Sequence, residues 1–529
     1  MAIVNIPPFV KRMGYKILSF ILNVEDSISS RILDGQYELD EPRIRIMNEF
    51  IQICRQLRIQ NIDQEDVDFH VFHTLSRVVQ NGRHIFNIWH EELGGAYIDV
   101  LSIDSVVASA SKIALEVYPL LLIDPPKDSF FYINTQSHVT FRIWELSERQ
   151  NLIDAVKNDT SMSKLFTEIG NNDNETQIQY SSSTGRGGML QLAVFPTTLI
   201  AKAYELMKIR GELSRETLIK SVEEVIGMLR NVGDGNQINV PAFVGFNNVG
   251  LDGLSEITIE NGKIRAYNQE LIALLPDEAK PSTLAEENAV LGFLLEYEYP
   301  YKVILEKQDY QDQQLWPPEL DLARGILDTI VENISFSLAL SIHRDPPIGI
   351  TKAWTLVFDP LSQGMVISWS YGNSSPMPYY ILKATEAKSV EKWSKLVAES
   401  DDEKIRIAIR RILSSINDRL NPIDGFIDCI IAWENLFGGN AELSYRISVA
   451  IAKLLATDQK ERLDLQKKLV RYYNERSRIV HGSNEVTYES AAQKRNECLS
   501  IILKALRNLY EHHHDLLADS ERSKKLALL

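Results

Sequence analysis

Near its C-terminus the chain reads Tyr473-Asn-Glu-Arg476-Ser477-Arg478-Ile-Val-His481-Gly482. An arginine and a histidine beside one phosphodiester supply what RNA transesterification requires. The imidazole moves a proton at the 2′-hydroxyl or the leaving oxygen, and the fixed cation meets the charge developing on the phosphoryl oxygens. Gly482 suits a left-handed C-terminal cap, which puts His481 in the last turn of a helix, where the carbonyl end of the dipole favours a cation. Arg476 lies about 140° around that helix from His481, whereas Ser477 and Arg478 fall beneath it. Bringing both groups to one phosphate therefore takes a bent arginine side chain or the histidine of a second subunit. Spacing alone is not specific. With ten histidines and 29 arginines, roughly half an Arg-x4-His match is expected by chance, and there are two. The second is Arg507-Asn508-Leu-Tyr-Glu-His512. Taken singly, each match reads as a solvated helix face.

Other clusters carry less. His70, His73, His84 and His90 crowd one N-terminal segment with Glu91 and Glu92, but no complete zinc spacing appears. The tract His512-His513-His514-Asp515 ends a helix, where cations are favoured in any case. Residues Ser181 to Gly188 offer glycines and hydroxyls without the Gly-Lys-Ser/Thr ending of a phosphate loop, and read as a flexible surface loop. Trp316-Pro-Pro318 and the aromatic residues of 354–380 read as core and turn rather than a base-stacking platform. No metal and no cofactor are expected.

The elements that must position Arg476 and His481 are legible from Ser400 onward. Ser400 followed by Asp401, Asp402 and Glu403 is a helix start, and the first helix is predicted to reach about Leu420. Asn421-Pro422 opens a second helix to Phe437, with cap and first-turn proline in order, and Gly438-Gly439 ends it. Glu442–Ala456, Lys460–His481 and Tyr488–His513 complete five amphipathic helices, a bundle of roughly 115 residues. Ile479 and Val480 are the expected core residues of the turn bearing His481. The first half is predicted to be mostly helical, with apolar residues three and four apart in Arg43–Arg58 and Arg215–Arg230. Phe130–Trp144 has strand-like composition. Around 250–400 a small antiparallel sheet is predicted. Glu256–Glu260 and Lys263–Tyr267 flank Asn261-Gly262, a turn suited to positive φ at both centres, and Ala353–Asp359 and Gly364–Tyr371 alternate in the same way. The organisation expected is a helical sensor or regulatory region at 1–250, a mixed α+β domain at 251–400, the bundle at 401–516 and a tail at 517–529.

Several strings within that last stretch occur in a recognisable order. They are Ile431-Ala-Trp-Glu434-Asn-Leu-Phe437, then Glu442-Leu-Ser-Tyr-Arg446-Ile447, then Tyr-Tyr-x-x-Arg-Ser-x-Ile-Val-His-Gly. Together they resemble the HEPN superfamily, specifically its ApeA-like branch, over about 402–515. The resemblance implies a metal-independent endoribonuclease of a defence or toxin type, with a composite site formed across a dimer. Arg476 and His481 carry over as the catalytic pair. Ser477 is the polar residue after the arginine, Glu434 an orienting carboxylate, and Tyr473 and Arg478 are supporting residues. Arg507 and His512 do not fall at the matching place. Other members of the superfamily have lost catalysis, so a non-catalytic scaffold or RNA-binding protein is the alternative.

Composition bounds the partners. Of 529 residues, 44% are hydrophobic and 24% charged, an ordinary globular balance that excludes wholesale disorder. The net charge of −16 disfavours wrapping long nucleic acid on a general basic surface. Residues 1–400 carry −18 and residues 401–529 carry +2, so RNA is expected at the C-terminal part and a protein trigger at the N-terminal part. A homodimer through the HEPN-like region is expected. No apolar run is long enough for a membrane span, and Ile17–Val24, followed by Glu25 and Asp26, does not read as a signal peptide. The three cysteines, Cys54, Cys429 and Cys498, form no disulfide framework, and the expected compartment is the cytoplasm.

Overall fold

The structure is a computed structural model, and it describes residues 3–11, 13–58, 74–123, 142–252, 256–267, 269–275, 293–305, 317–362, 364–369, 380–400, 403–438, 442–482 and 486–528. His70, His73, Trp316 and most of Phe130–Trp144 lie outside them. Among the described residues 59% are helical, in eighteen helices, with small, mainly antiparallel sheets. The chain divides into two compact units, each interrupted in sequence: Met1–Val240 with Pro300–Asp321 and Phe358–Val366, and Pro241–Tyr299 with Leu322–Val357 and Ile367–Leu529. No helix among the described residues is long and apolar enough to cross a membrane.

The first unit is built around the helix Phe195–Arg210, whose residues from Phe195 to Ile209 are all buried. Its buried lysine is satisfied internally, while the Thr198 hydroxyl has no partner among the described residues. The Lys202 ammonium, fully buried, donates to Glu205 Oε2 at 2.7 Å and to the Gly364 carbonyl at 2.8 Å, as a buried charge must. The segment expected to be a flexible loop is instead an ordered hairpin. Strand Gln177–Ser182 pairs with Gly187–Gln191, and Val303–Leu305 adds on the other side. Ser182 and Ser183 are buried there, the Ser182 hydroxyl bonding the Arg186 carbonyl at 3.1 Å.

The second unit carries a six-stranded sheet in the order 366–369, 351–357, 238–247, 294–301, 262–265, 256–259. The hairpin expected around Asn261-Gly262 forms, but its turn sits one residue earlier. Ile259 pairs with Gly262, so Glu260 and Asn261 occupy the centre, and only Gly262 has positive φ, at 146°. A side chain at Gly262 would meet the Glu296 carbonyl of the neighbouring strand, a close approach that fixes the glycine there.

Five helices follow: Glu403–Leu413, Pro422–Phe437, Leu443–Leu455, Gln459–Val480 and Tyr488–His512. The first is shorter than its apolar pattern suggests. It passes into a π-helical turn at Ser414–Asp418 and ends at Arg419 in extended backbone. Two long-range ties account for this. Asp428, almost fully buried, accepts from Arg411 at 2.9 Å and from Arg419 at 2.7 Å, one on each side of the turn, while the Asn417 amide donates to the Ile350 carbonyl at 3.2 Å. The five helices share one apolar core in which Trp433, Phe437, Ile451, Leu469, Ile502 and Leu506 are central. That core also takes Phe336 and Leu340 from the helix Leu322–Ser341 and Trp393 and Val397 from the helix Ala387–Ala398.

Candidate active site

Helix 459–480 starts where Asp458 accepts from the backbone N–H groups of Lys460 and Glu461, the expected N-cap chemistry. It ends where Gly482 takes φ +69° and donates its N–H to the Ile479 carbonyl. His481 is thus the C-cap residue, its own N–H bonded to the Ser477 carbonyl at 3.1 Å. Between these ends the apolar positions turn inward, with Leu469 and Tyr472 buried. Ile479 packs against the core as its position suggests. Val480 does not: it is 54% exposed, because the helix stops there and no element among the described residues covers its last residue.

Arg476 faces the helix 422–437. Its Nη2 lies 3.5 Å from Glu434 Oε2, with the two side chains 24% and 23% exposed. Glu434 also accepts a hydrogen bond from the Tyr473 hydroxyl; burial, and then that bond to a carboxylate, hold the Tyr473 phenol above its ordinary pKa. Glu434, Tyr473 and Arg476 therefore form one polar knot between the two helices. The Arg476 Nε is buried with no hydrogen-bond partner among the described residues, a donor left unmatched at the cost such groups carry. A guanidinium fixed on one edge by a carboxylate and with N–H groups to spare is suited to meet an anion.

His481 lies on a different face. Its side chain is exposed and forms no hydrogen bond or ion pair among the described residues. Arg478 is exposed beside it, its Nε 3.5 Å from the Asn474 carbonyl, and Ser477 is half-buried. The structure thus joins Glu434, Tyr473 and Arg476, and leaves His481, Arg478 and Ser477 outside that knot, as the 140° offset requires.

The second Arg-x4-His match is built differently. Arg507 is not a solvated residue: its Nε and Nη2 donate to the carbonyls of Leu340 and Ala339 at 2.8 and 3.1 Å. These carbonyls belong to the last turn of helix 322–341, which has no intrahelical donors for them. Arg507 is thus a helix cap supplied from another helix, and His512 is exposed at the end of its own.

The N-terminal histidines within the described residues are structural. His84 Nδ1 accepts from the Phe86 N–H at 3.3 Å, which leaves Nε2–H to donate to the Leu75 carbonyl at 2.8 Å. Burial pushes its pKa down to about 4. His90 stacks on Phe20 and bonds the Phe20 carbonyl at 2.7 Å. Among the described residues no group of three or more His, Cys, Asp or Glu side chains is placed to hold a metal ion. A groove of about 590 Å³ opens between Glu332, Ser335, Lys352, Arg410 and Asn417; none of the predicted site residues lines it.

The sequence reading singled out Arg478 but passed over the row of residues it belongs to on the same helix. Lys467, Arg471, Asn474 and Arg478 are all exposed, and their spacings of four, three and four put them on one stripe. That spacing was available in the sequence. Compared with models of known families, with curated proteins and with solved structures, the chain has no match in any of the three.

Proposed function

We propose that the chain is a metal-independent endoribonuclease of a defence or toxin type, its site lying in a HEPN-like helical bundle over about 402–515. The observation that carries the reading is the Glu434–Arg476 ion pair with its spare guanidinium donors. It sets the arginine of the Tyr-Tyr-x-x-Arg-Ser-x-Ile-Val-His-Gly string between two helices, on the carboxylate that the resemblance nominates.

In the reaction the 2′-oxygen attacks the adjacent phosphorus as its proton passes to a base. The bond from phosphorus to the 5′-oxygen breaks, and that oxygen takes a proton. The products are a 2′,3′-cyclic phosphate and a 5′-hydroxyl. Histidine 481 serves the proton transfers, and Arg476 balances the charge on the non-bridging oxygens. Because the two residues of one chain diverge, Arg476 works with the His481 of a second copy, and two-fold pairing puts four such groups around one cleft. The acidic residues 1–400 hold the nuclease in check and respond to a protein trigger.

The test is growth and total RNA of cells expressing the wild type beside His481→Ala. Growth arrest with fragmented RNA in the wild type alone is the expected result. Identical RNA from the two would leave the chain as a non-catalytic scaffold.

A further inference from the structure

Helix 459–480 presents a line of positive charge to solvent. At 100° per residue Lys460, Lys467, Arg471, Asn474 and Arg478 fall within about 60° of one another, and His481 continues the line at its end. All six are exposed. Leu469, Tyr472 and Arg476 lie on the far side, where the helix meets its neighbours. Asp464 is the one acidic residue on the stripe, and it sits toward the N-terminal end. From Lys467 to Arg478 the line runs about 16 Å at 1.5 Å per residue.

These cations differ from others in the same unit. Lys468, one position off the stripe, pairs with Glu497; Lys494 pairs with Glu475, Arg410 with Glu332 and Lys392 with Glu511. The side chains of Lys460, Lys467 and Arg471 form no ion pair or hydrogen bond among the described residues. A chain with an excess of sixteen acids has carboxylates to spare, yet it leaves these three side chains without one. A linear row of exposed cations is complementary to a linear polyanion, and it ends at the imidazole assigned to proton transfer.

We infer that this stripe is the track on which the backbone of single-stranded RNA lies, its phosphates on Lys467, Arg471 and Arg478, feeding the scissile linkage to His481. The inference rests on the nuclease reading and adds to it the residues that hold substrate outside the reacting atoms. Contacts of this kind are sequence-independent and salt-sensitive, so the track supplies affinity and not base preference.

The test uses the full chain and a short single-stranded oligoribonucleotide, 2′-O-methylated throughout so that it cannot be cleaved, with binding followed at several salt concentrations. The double variant Lys467→Gln, Arg471→Gln is compared with Lys388→Gln, Lys395→Gln, which removes the same charge from another exposed helix. The stripe variant should bind about 10-fold more weakly near physiological salt, with the slope of log affinity against log salt lower by about 1.4. The control should match the wild type. On cleavable RNA the stripe variant should raise KM while kcat stays within about two-fold. Equal affinity and slope in the stripe variant and the wild type would overturn the track while leaving the nuclease standing. Failure of the wild type to bind the oligonucleotide at any salt would overturn both.

Discussion

Arg476 and Arg507 each stand five residues before a histidine, yet their surroundings give them opposite work. Arg476 has one carboxylate partner and an unmatched N–H; Arg507 spends its donors on two carbonyls of another helix. His481→Ala and Arg476→Ala should each slow RNA cleavage by about 10²–10⁴-fold with the circular dichroism spectrum unchanged. Glu434→Gln keeps a hydrogen-bonding partner for Tyr473 but loosens the arginine, so cleavage should fall roughly 10–100-fold. Arg507→Ala should do the reverse. It leaves buried carbonyls without donors, so denaturant unfolding should show a loss of about 1–3 kcal/mol, while the rate per folded molecule stays within a few-fold and His512→Ala changes neither. Loss of cleavage in folded Arg507 or His512 variants, with retention in the Arg476 and His481 variants, would put the site on the wrong helix.

At the level of elements, His84 makes one helix sensitive to acid. It caps Ile85–Glu92 only in the neutral form, because protonated Nδ1 cannot accept the Phe86 N–H, and a cation at a helix N-terminus is disfavoured. Burial holds its pKa at about 4 in the folded chain, below the ordinary 6.5. The unfolded chain therefore binds the extra proton first. The stabilisation is complete above pH 6.5 and is lost as pH falls toward 4, the loss reaching about 2 kcal/mol by pH 5. Thermal unfolding at pH 7 and pH 5 should show that loss, and His84→Asn, which caps without titrating in this range, should flatten it. Helix ends of this kind were legible wherever the cap is local. Asn421 bonds the Ile423 N–H and Pro422 follows it, so the start of 422–437 could be read directly. The π-turn at Ser414–Asp418 could not, since it depends on Asp428 and Ile350, distant in sequence. Periodicity also misplaced Val480: it assigns a face but does not say where the covering helix stops. Val480→Ser should therefore change stability by less than about 0.5 kcal/mol, whereas Ile479→Ser should cost several times more by chemical denaturation.

For the whole molecule, the proposed composite site makes a prediction about mixing. Arg476→Ala and His481→Ala proteins, each inactive alone, should regain part of the wild-type rate when unfolded together and refolded, because a mixed dimer keeps one arginine and one histidine in the cleft. No recovery from verified mixed dimers would remove the second copy from the mechanism. Cleavage should also survive chelation by EDTA, since the charge is supplied by Arg476; abolition by EDTA with rescue by Mg²⁺ or Mn²⁺ would defeat that. The resemblance nominated Glu434, and the structure sets it beside Arg476 and Tyr473. The sharing of one core by helices far apart in sequence was not legible, because local patterning carries no record of which surfaces meet.

That shared core sets where the chain can be cut. Phe336, Leu340, Trp393 and Val397 fill space among the C-terminal helices, and the Arg507 guanidinium reaches the end of helix 322–341. A fragment beginning at residue 401 would open this wall to water, exposing an apolar face of the kind that drives self-association. Such a fragment should precipitate or form higher oligomers on gel filtration. One that keeps residues 238–529 retains the wall and the six-stranded sheet and should elute as a defined species. A transplant of the C-terminal helices into another protein would have to carry those two outlying helices with them.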